Sequence, residues 1–201
     1  LPDYIANIAV AQSWGSAQLS GALHTINASN SATTATWNGS NFVNTQYGYA
    51  LQANAKINLP MIAAGDYLWL NGIYSYAANA FTLRNSGAGD VNSNSIAGFG
   101  IGRVAVTMND LVVDWTNTKS YKPTVWGAAA EFNHQWTPTV GTFIGGSYTQ
   151  LSWESGAQAL NNQVINPAKF YIDNAGVTWT PVKGLRVLAD VELSLIHISE
   201  P

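Results

Sequence analysis

The sequence contains no cysteine, which closes off a disulfide scaffold. Charge is scarce as well. Asp, Glu, Lys and Arg make up 9% of the 201 residues, against about 25% in a soluble domain. The net charge of −3 leaves no basic footprint for nucleic acid. No run approaches the roughly 20 apolar residues of a spanning helix, and no signal-peptide pattern opens the chain. The three histidines, His24, His134 and His197, are too few and too scattered for a zinc site and read as structural or interfacial. Gly98-Phe99-Gly100-Ile101-Gly102 lacks the Gly-Lys-Ser/Thr ending of a phosphate loop. Asp90-Val91-Asn92-Ser93-Asn94 spaces oxygen ligands as calcium loops do, but without the central Gly and distal Glu; it reads as solvated loop. No nucleophile–base order stands out, so the chain reads as a non-enzyme without cofactor or metal.

What is present is alternation. From Trp126 the apolar set Trp126, Ala128, Ala130, Phe132, His134 and Trp136 interleaves with Gly127, Ala129, Glu131, Asn133 and Gln135. Tyr47, Tyr49, Leu51, Ala53, Ala55, Ile57 and Leu59 alternate with Gln46, Gly48, Ala50, Gln52, Asn54, Lys56 and Asn58. Tyr4 to Val10, Ser16 to Thr25, Asp66 to Tyr76 and Leu185 to Glu192 repeat the pattern. A period of two is the mark of a strand with two different faces. Short connectors at Ser13-Trp14-Gly15, Pro60 to Gly65, Thr137-Pro138-Thr139 and Pro181 to Gly184 alternate with long ones near 27–45, 79–123 and 154–168. The His134 to Gly141 and Val177 to Gly184 segments echo each other, each placing a tryptophan beside a short turn. The count is eight strands, or ten if 104–107 and 111–115 both span; the reading adopted is one long loop with local β structure.

Strands with an apolar and a polar face, joined alternately by short turns and long loops, are the layout of an all-β antiparallel transmembrane barrel. One face meets hydrocarbon, which cannot hydrate polar groups; the other meets water and tolerates charge. Trp14, Trp136 and Trp179 are expected to form an interfacial girdle at the short-turn, periplasmic side. Tyr47, Tyr49, Tyr74, Tyr76, Trp126 and Tyr171 are expected to form the far girdle, because their rings suit lipid and their N–H or O–H groups find water. The pore-lining candidates share the polar parity: Gln52, Asn54, Lys56, Glu131, Asn133, Arg186 and Asp190, with Glu192 beside them. Arg186 and Lys56 are expected on one part of the wall, Glu131 and Asp190 on another. The alternative is a soluble β-sandwich or barrel whose apolar face covers a core, but the many Ala and Gly are small for a core of native density.

At Asp3-Tyr4-Ile5-Ala6-Asn7, Trp14-Gly15-Ser16-Ala17-Gln18, Gly21-Ala22-Leu23-His24, Ala64 to Leu70 and Phe132 to Pro138 the chain resembles the alphaproteobacterial porin family. The resemblance covers nearly all of residues 1–192. It implies a 16-stranded barrel, about 8–10 of its strands present here as a C-terminal-half fragment. It also implies a homotrimer in outer-membrane lipid that passes small hydrophilic solutes and ions passively. The family's constriction loop and terminal aromatic would then lie outside the chain. Residues 193–201, Leu-Ser-Leu-Ile-His-Ile-Ser-Glu-Pro, break the preceding alternation and resemble a transposon-type sequencing adapter translated in frame. Two rivals remain: a substrate-specific outer-membrane channel, and a secreted soluble β-sheet carbohydrate-binding protein. An outer-membrane enzyme barrel has no motif in its support.

Overall fold

Period-two alternation becomes eight long strands in one antiparallel sheet. The computed structural model describes residues 2–26, 45–82, 110–114, 119–157 and 167–198. The strands are β1 (Tyr4–Gln12), β2 (Gly15–Ile26), β3 (Gln46–Asn58), β4 (Tyr67–Tyr76), β5 (Val112–Asp114), β6 (Lys119–Tyr121), β7 (Pro123–Thr137), β8 (Val140–Trp153), β9 (Ala168–Val182) and β10 (Leu185–Ile198). The main sheet runs β1-β2-β3-β4-β7-β8-β9-β10, and β5-β6 is a separate hairpin. The described part of the long connection between β4 and β7 therefore holds a local hairpin outside the main sheet. Of the segments weighed there, 104–107 lies outside the described residues, as do 90–94 and 98–102. Among the described residues neither edge strand, β1 nor β10, has a second partner, so the sheet is open, as an arc of a barrel would be.

The sheet is a meander, in which β1–β2, β3–β4, β7–β8 and β9–β10 close through short turns. At the short-turn end, β1 and β2 pair from Gln12↔Gly15 to Tyr4↔Leu23. A longer turn joins β3 and β4, closed by Leu59 N–H donating to Asp66 O at 2.8 Å. Register shifts at Gln135/Thr137 and Leu185/Val187 mark the tight β7–β8 and β9–β10 turns.

Strand β10 runs on past Leu193: its pairing with β9 continues through Ile198↔Ala168. Leu193 and Leu195 keep the parity of Leu185, Val187 and Val191, and His197 follows them on the same face. The extra apolar residue at Ile196 falls on the opposite parity and obscures the pattern in the linear sequence.

Few apolar side chains are buried, and those that are sit where connections cover the sheet. Val125, Leu151 and Ala168 form one cluster with Trp153 and Phe170. Val112, Tyr121 and Ala157 form a second, and Ala22, Ala50 and Ala78 a third with Phe81. All three lie toward the long-connection end. Elsewhere the sheet is a single layer, with Ile8 71%, Leu19 53%, Ile144 64% and Val191 76% exposed on one face.

Candidate pore wall and membrane belt

Directly paired residues in an antiparallel sheet share a face, so the register assembles the two surfaces. On the polar face Lys56 pairs with Trp69 and Trp69 with Glu131. The row continues through Gly145 and Asn174 to Glu192. A neighbouring row runs Tyr67, Asn133, Phe143, Gly176, Asp190. On the same face, further along β3, Asn54 pairs with Gln18 and Asn71, and Gln52 with Ser20 and Ile73. Arg186 holds the parity of Leu188 and Asp190 on β10. Every pore-lining candidate therefore lies on one face.

The register adds which of them share a row. Lys56 and Glu131 share one row, two strands apart with Trp69 between them, while Lys56 and Arg186 stand on distant strands. Parity along each strand was readable; the stagger between strands, which decides who shares a row, is set by turn geometry. The polar side chains are oriented by their neighbours. Asn133 Nδ2 donates to Glu131 Oε1 at 2.7 Å, Asn71 Nδ2 to Asn54 Oδ1 at 2.7 Å, and Lys56 Nζ sits 4.1 Å from the Tyr67 ring centroid. Among the described residues, the recorded ion pairs all involve histidine, so Lys56 and Arg186 keep their charge unneutralised toward the polar side.

The opposite face carries an aromatic belt at its long-connection end. Tyr49 stacks on Tyr74 at 6.0 Å and meets Tyr76 at 5.9 Å. Trp126 contacts Tyr148 at 5.1 Å, and Tyr148 contacts Tyr171 at 5.0 Å. Tyr47, paired with Thr25, extends the belt and is 62% exposed. Tyr76 O–H donates to Glu154 Oε1 at 2.6 Å, the expected wet end of an interfacial ring. Tyr148 joins two halves of this belt, yet the sequence reading missed it. Its face on β8 is Thr142, Ile144, Gly146, Tyr148, Gln150 and Ser152, too polar for alternation to show; only the spacing of Tyr148 from the Thr137-Pro138 turn could have flagged it. Polar groups also reach this face near the belt. Asp173 lies beside Gly146, where a Cβ would approach Asp173 Oδ1 to 2.6 Å.

At the other end Trp14, Trp136 and Trp179 are each about half exposed or more. Trp136 Nε1 donates to Thr142 Oγ1 at 3.0 Å, and its ring meets His134 edge-on at 4.3 Å. Trp126 and Trp136 bracket the apolar stretch of β7. At roughly 3.3 Å per residue they stand about 33 Å apart along the strand, or about 25 Å in height at a tilt near 40°. That is the height of a barrel's hydrocarbon band.

Asp66 fastens this short-turn end. Its side chain is buried, accepts the Gln135 N–H at 2.8 Å and sits 2.7 Å from His134 Nδ1. Burial acts to raise its carboxyl, but the Gln135 amide and then His134 outweigh it and hold Asp66 below the usual carboxylate range. The folded value is depressed, so this stabilisation is present above the ordinary Asp range and is lost as pH falls below about 4. The expected result is a urea midpoint that drops between pH 6 and pH 3, and drops less in Asp66→Asn. Equal drops would remove Asp66 from the account.

Among the described residues no cluster of three or more His, Cys, Asp or Glu could hold a metal. No described helix is long and apolar enough to cross a membrane. No curated protein and no solved structure matches the chain. The model of the porin subfamily matches residues 1–197. With its single-layer antiparallel sheet, two-sided strands and aromatic belt, the chain belongs to the porin family.

Proposed function

We propose that this chain forms part of the wall of a water-filled channel in the outer membrane of a Gram-negative bacterium, passing small hydrophilic solutes and ions down their gradients. The observation that carries the reading is the uncovered apolar face. Large side chains such as Ile8, Leu19, Ile144 and Val191 stand exposed on a one-layer sheet, and the aromatic belt edges that face. In water such a face drives aggregation; in a bilayer hydrocarbon covers it. The polar face supplies the lumen, with Lys56, Glu131, Arg186, Asp190 and Glu192 setting its field. No group-transfer chemistry and no cofactor enter this reading. Further strands close the wall, and the barrels assemble as a homotrimer, which unheated gel electrophoresis in detergent resolves as a species that heating converts to monomer.

Liposome swelling tests the reading. Entry rates should fall smoothly with solute size and rise linearly with solute concentration. Saturation with one solute would favour a substrate-specific channel instead, and a protein that stays folded and soluble without detergent would favour a carbohydrate-binding β-protein. The lumen assignment has its own test. Reversing charge at Lys56 and Arg186 together in the closed barrel should shift permeability several-fold toward cations, read as a displaced reversal potential under a salt gradient. An unmoved reversal potential would place these side chains outside the pore.

A further inference from the structure

Three parts of the chain converge on His24, near the end of β2. Its Nδ1 lies 2.9 Å from each carboxylate oxygen of Asp3, just before β1. Its Nε2 lies 3.3 Å from Oδ2 of Asp110, on the connection between β4 and β7. Asp3 also accepts the Thr25 N–H at 3.0 Å. The other oxygen of Asp110 accepts the backbone N–H of Asn79, at the start of the same connection. One imidazole thus bridges the beginning of β1 to two separated points of the connection.

That part of the connection lies over the polar face. Ala78 and Phe81 pack on Ala22 and Ala50, which share the parity of Gln52 and Lys56. Phe81 meets His24 edge-on, with centroids 5.8 Å apart. Ser75 Oγ and Thr82 Oγ1 are 2.8 Å apart. The approach is close enough that a Cβ on Gly48 would come within 2.0 Å of Ala77 O, so only glycine fits beneath the crossing chain.

A neutral imidazole has one N–H and one lone pair. It can donate to Asp3 or to Asp110, and then turns a lone pair toward the other carboxylate. The imidazolium donates to both. Only the protonated ring can donate to both carboxylates at once. Among the described residues, the titratable groups facing it are Asp3 from the head of β1 and Asp110 from the connection; β3 presents Gly48 and the turn presents Phe81. The Thr25 amide and then His24 hold Asp3 below the usual carboxylate range. Burial pushes Asp110 up, against the pull of the Asn79 amide and His24.

We propose that His24 is a proton-operated clasp: charged, it pins residues 77–82 and Asp110 against the pore side of the wall; neutral, it lets them loosen. This rests on the porin reading for its effect on conduction but not for the clasp itself. The sign follows from which state is bonded. Histidine changes charge between about pH 5 and 8, so the clasp is closed at the lower end and opens as pH rises. Far below that range the carboxylates take up protons and it opens again.

Two readouts separate the clasp from the pore. The first is hydrogen exchange at the Ala77, Phe81 and Thr82 amides in the folded protein, corrected for intrinsic rate. Protection should fall about tenfold from pH 5.5 to pH 8, the scale of one charge-assisted hydrogen bond, and His24→Gln should show little change over that interval. The second is single-channel conductance of the closed barrel, which should rise over the same interval in the unmodified protein and stay flat in His24→Gln. Because the chain has no cysteine, oxidised Ala50→Cys/Ala78→Cys offers a locked form, whose conductance should stay at the low-pH level throughout. Exchange that is pH-dependent in a protein without current would keep the clasp and reject the pore. Exchange that is pH-independent, or equally pH-dependent in His24→Gln, would overturn the clasp.

Discussion

Ala53→Arg is expected to destabilise the barrel by about 2–4 kcal/mol, while Asn54→Arg, one residue along, leaves its stability nearly unchanged. Ala53 stands on the apolar face among Leu19, Gly72 and Ala128, by direct pairing or one strand removed. It is exposed there, midway along β3 between Tyr49 and Ile57. A guanidinium at that height would face hydrocarbon, which can neither hydrate the charge nor hydrogen-bond it. Asn54 points to the opposite side, beside Gln18 and Asn71, where water is available. The contrast comes from parity alone, since the two positions share a strand and differ in height by a single residue. Urea unfolding of the closed barrel in lipid vesicles measures it. Equal costs at the two positions would mean that neither face is bathed in lipid.

The second large effect is steric. Gly15→Ala is expected to cost about 3 kcal/mol, at the upper end of ordinary single substitutions, and Gly184→Ala about 1–2 kcal/mol. Both glycines follow short turns, and both hold a positive φ, +144° at Gly15 and +88° at Gly184. The surroundings separate them. A Cβ on Gly15 would lie 1.9 Å from the Lys56 carbonyl oxygen, a backbone atom of the paired strand, whereas at Gly184 nothing lies within 4 Å. The substituted Gly184 therefore bears only the conformational strain of an L-residue in that region. Gly15→Ala must in addition push β2 from β3 where Gly15 pairs with Ile57. Thermal melts in detergent read both, and a Gly184 variant as damaged as the Gly15 variant would contradict the steric account.

Much of the wall was legible because a strand's side chains alternate whatever its neighbours do. The runs at Gln46–Asn58 and Pro123–Thr137 carry unbroken two-sided patterns, and their faces followed directly from sequence. The β8 strand carries none, since Gly146, Gln150 and Ser152 sit on its membrane side and Phe143 and Leu151 on its lumen side. The membrane position of Tyr148 needed the pairing Tyr148↔Tyr171 to become visible. Stagger was out of reach for the same reason. That Lys56, Trp69 and Glu131 share a row depends on how the chain closes the 59–66 turn and returns after the β4–β7 connection. The clasp at His24 was the least legible feature. It unites Asp3, His24 and Asp110, far apart in sequence, and a histidine in a strand reads as an ordinary interfacial residue until its two neighbours are placed.

The most direct test of the account is electrical. Reconstituted in a planar bilayer with the strands that close its wall, the protein should produce stepwise openings with linear current–voltage behaviour, the signature of a continuous water-filled path along the polar face. A silent bilayer, from protein that remains folded in buffer without detergent, would mean that the exposed apolar face packs against protein rather than lipid, and the account of this sheet as a channel wall would be wrong.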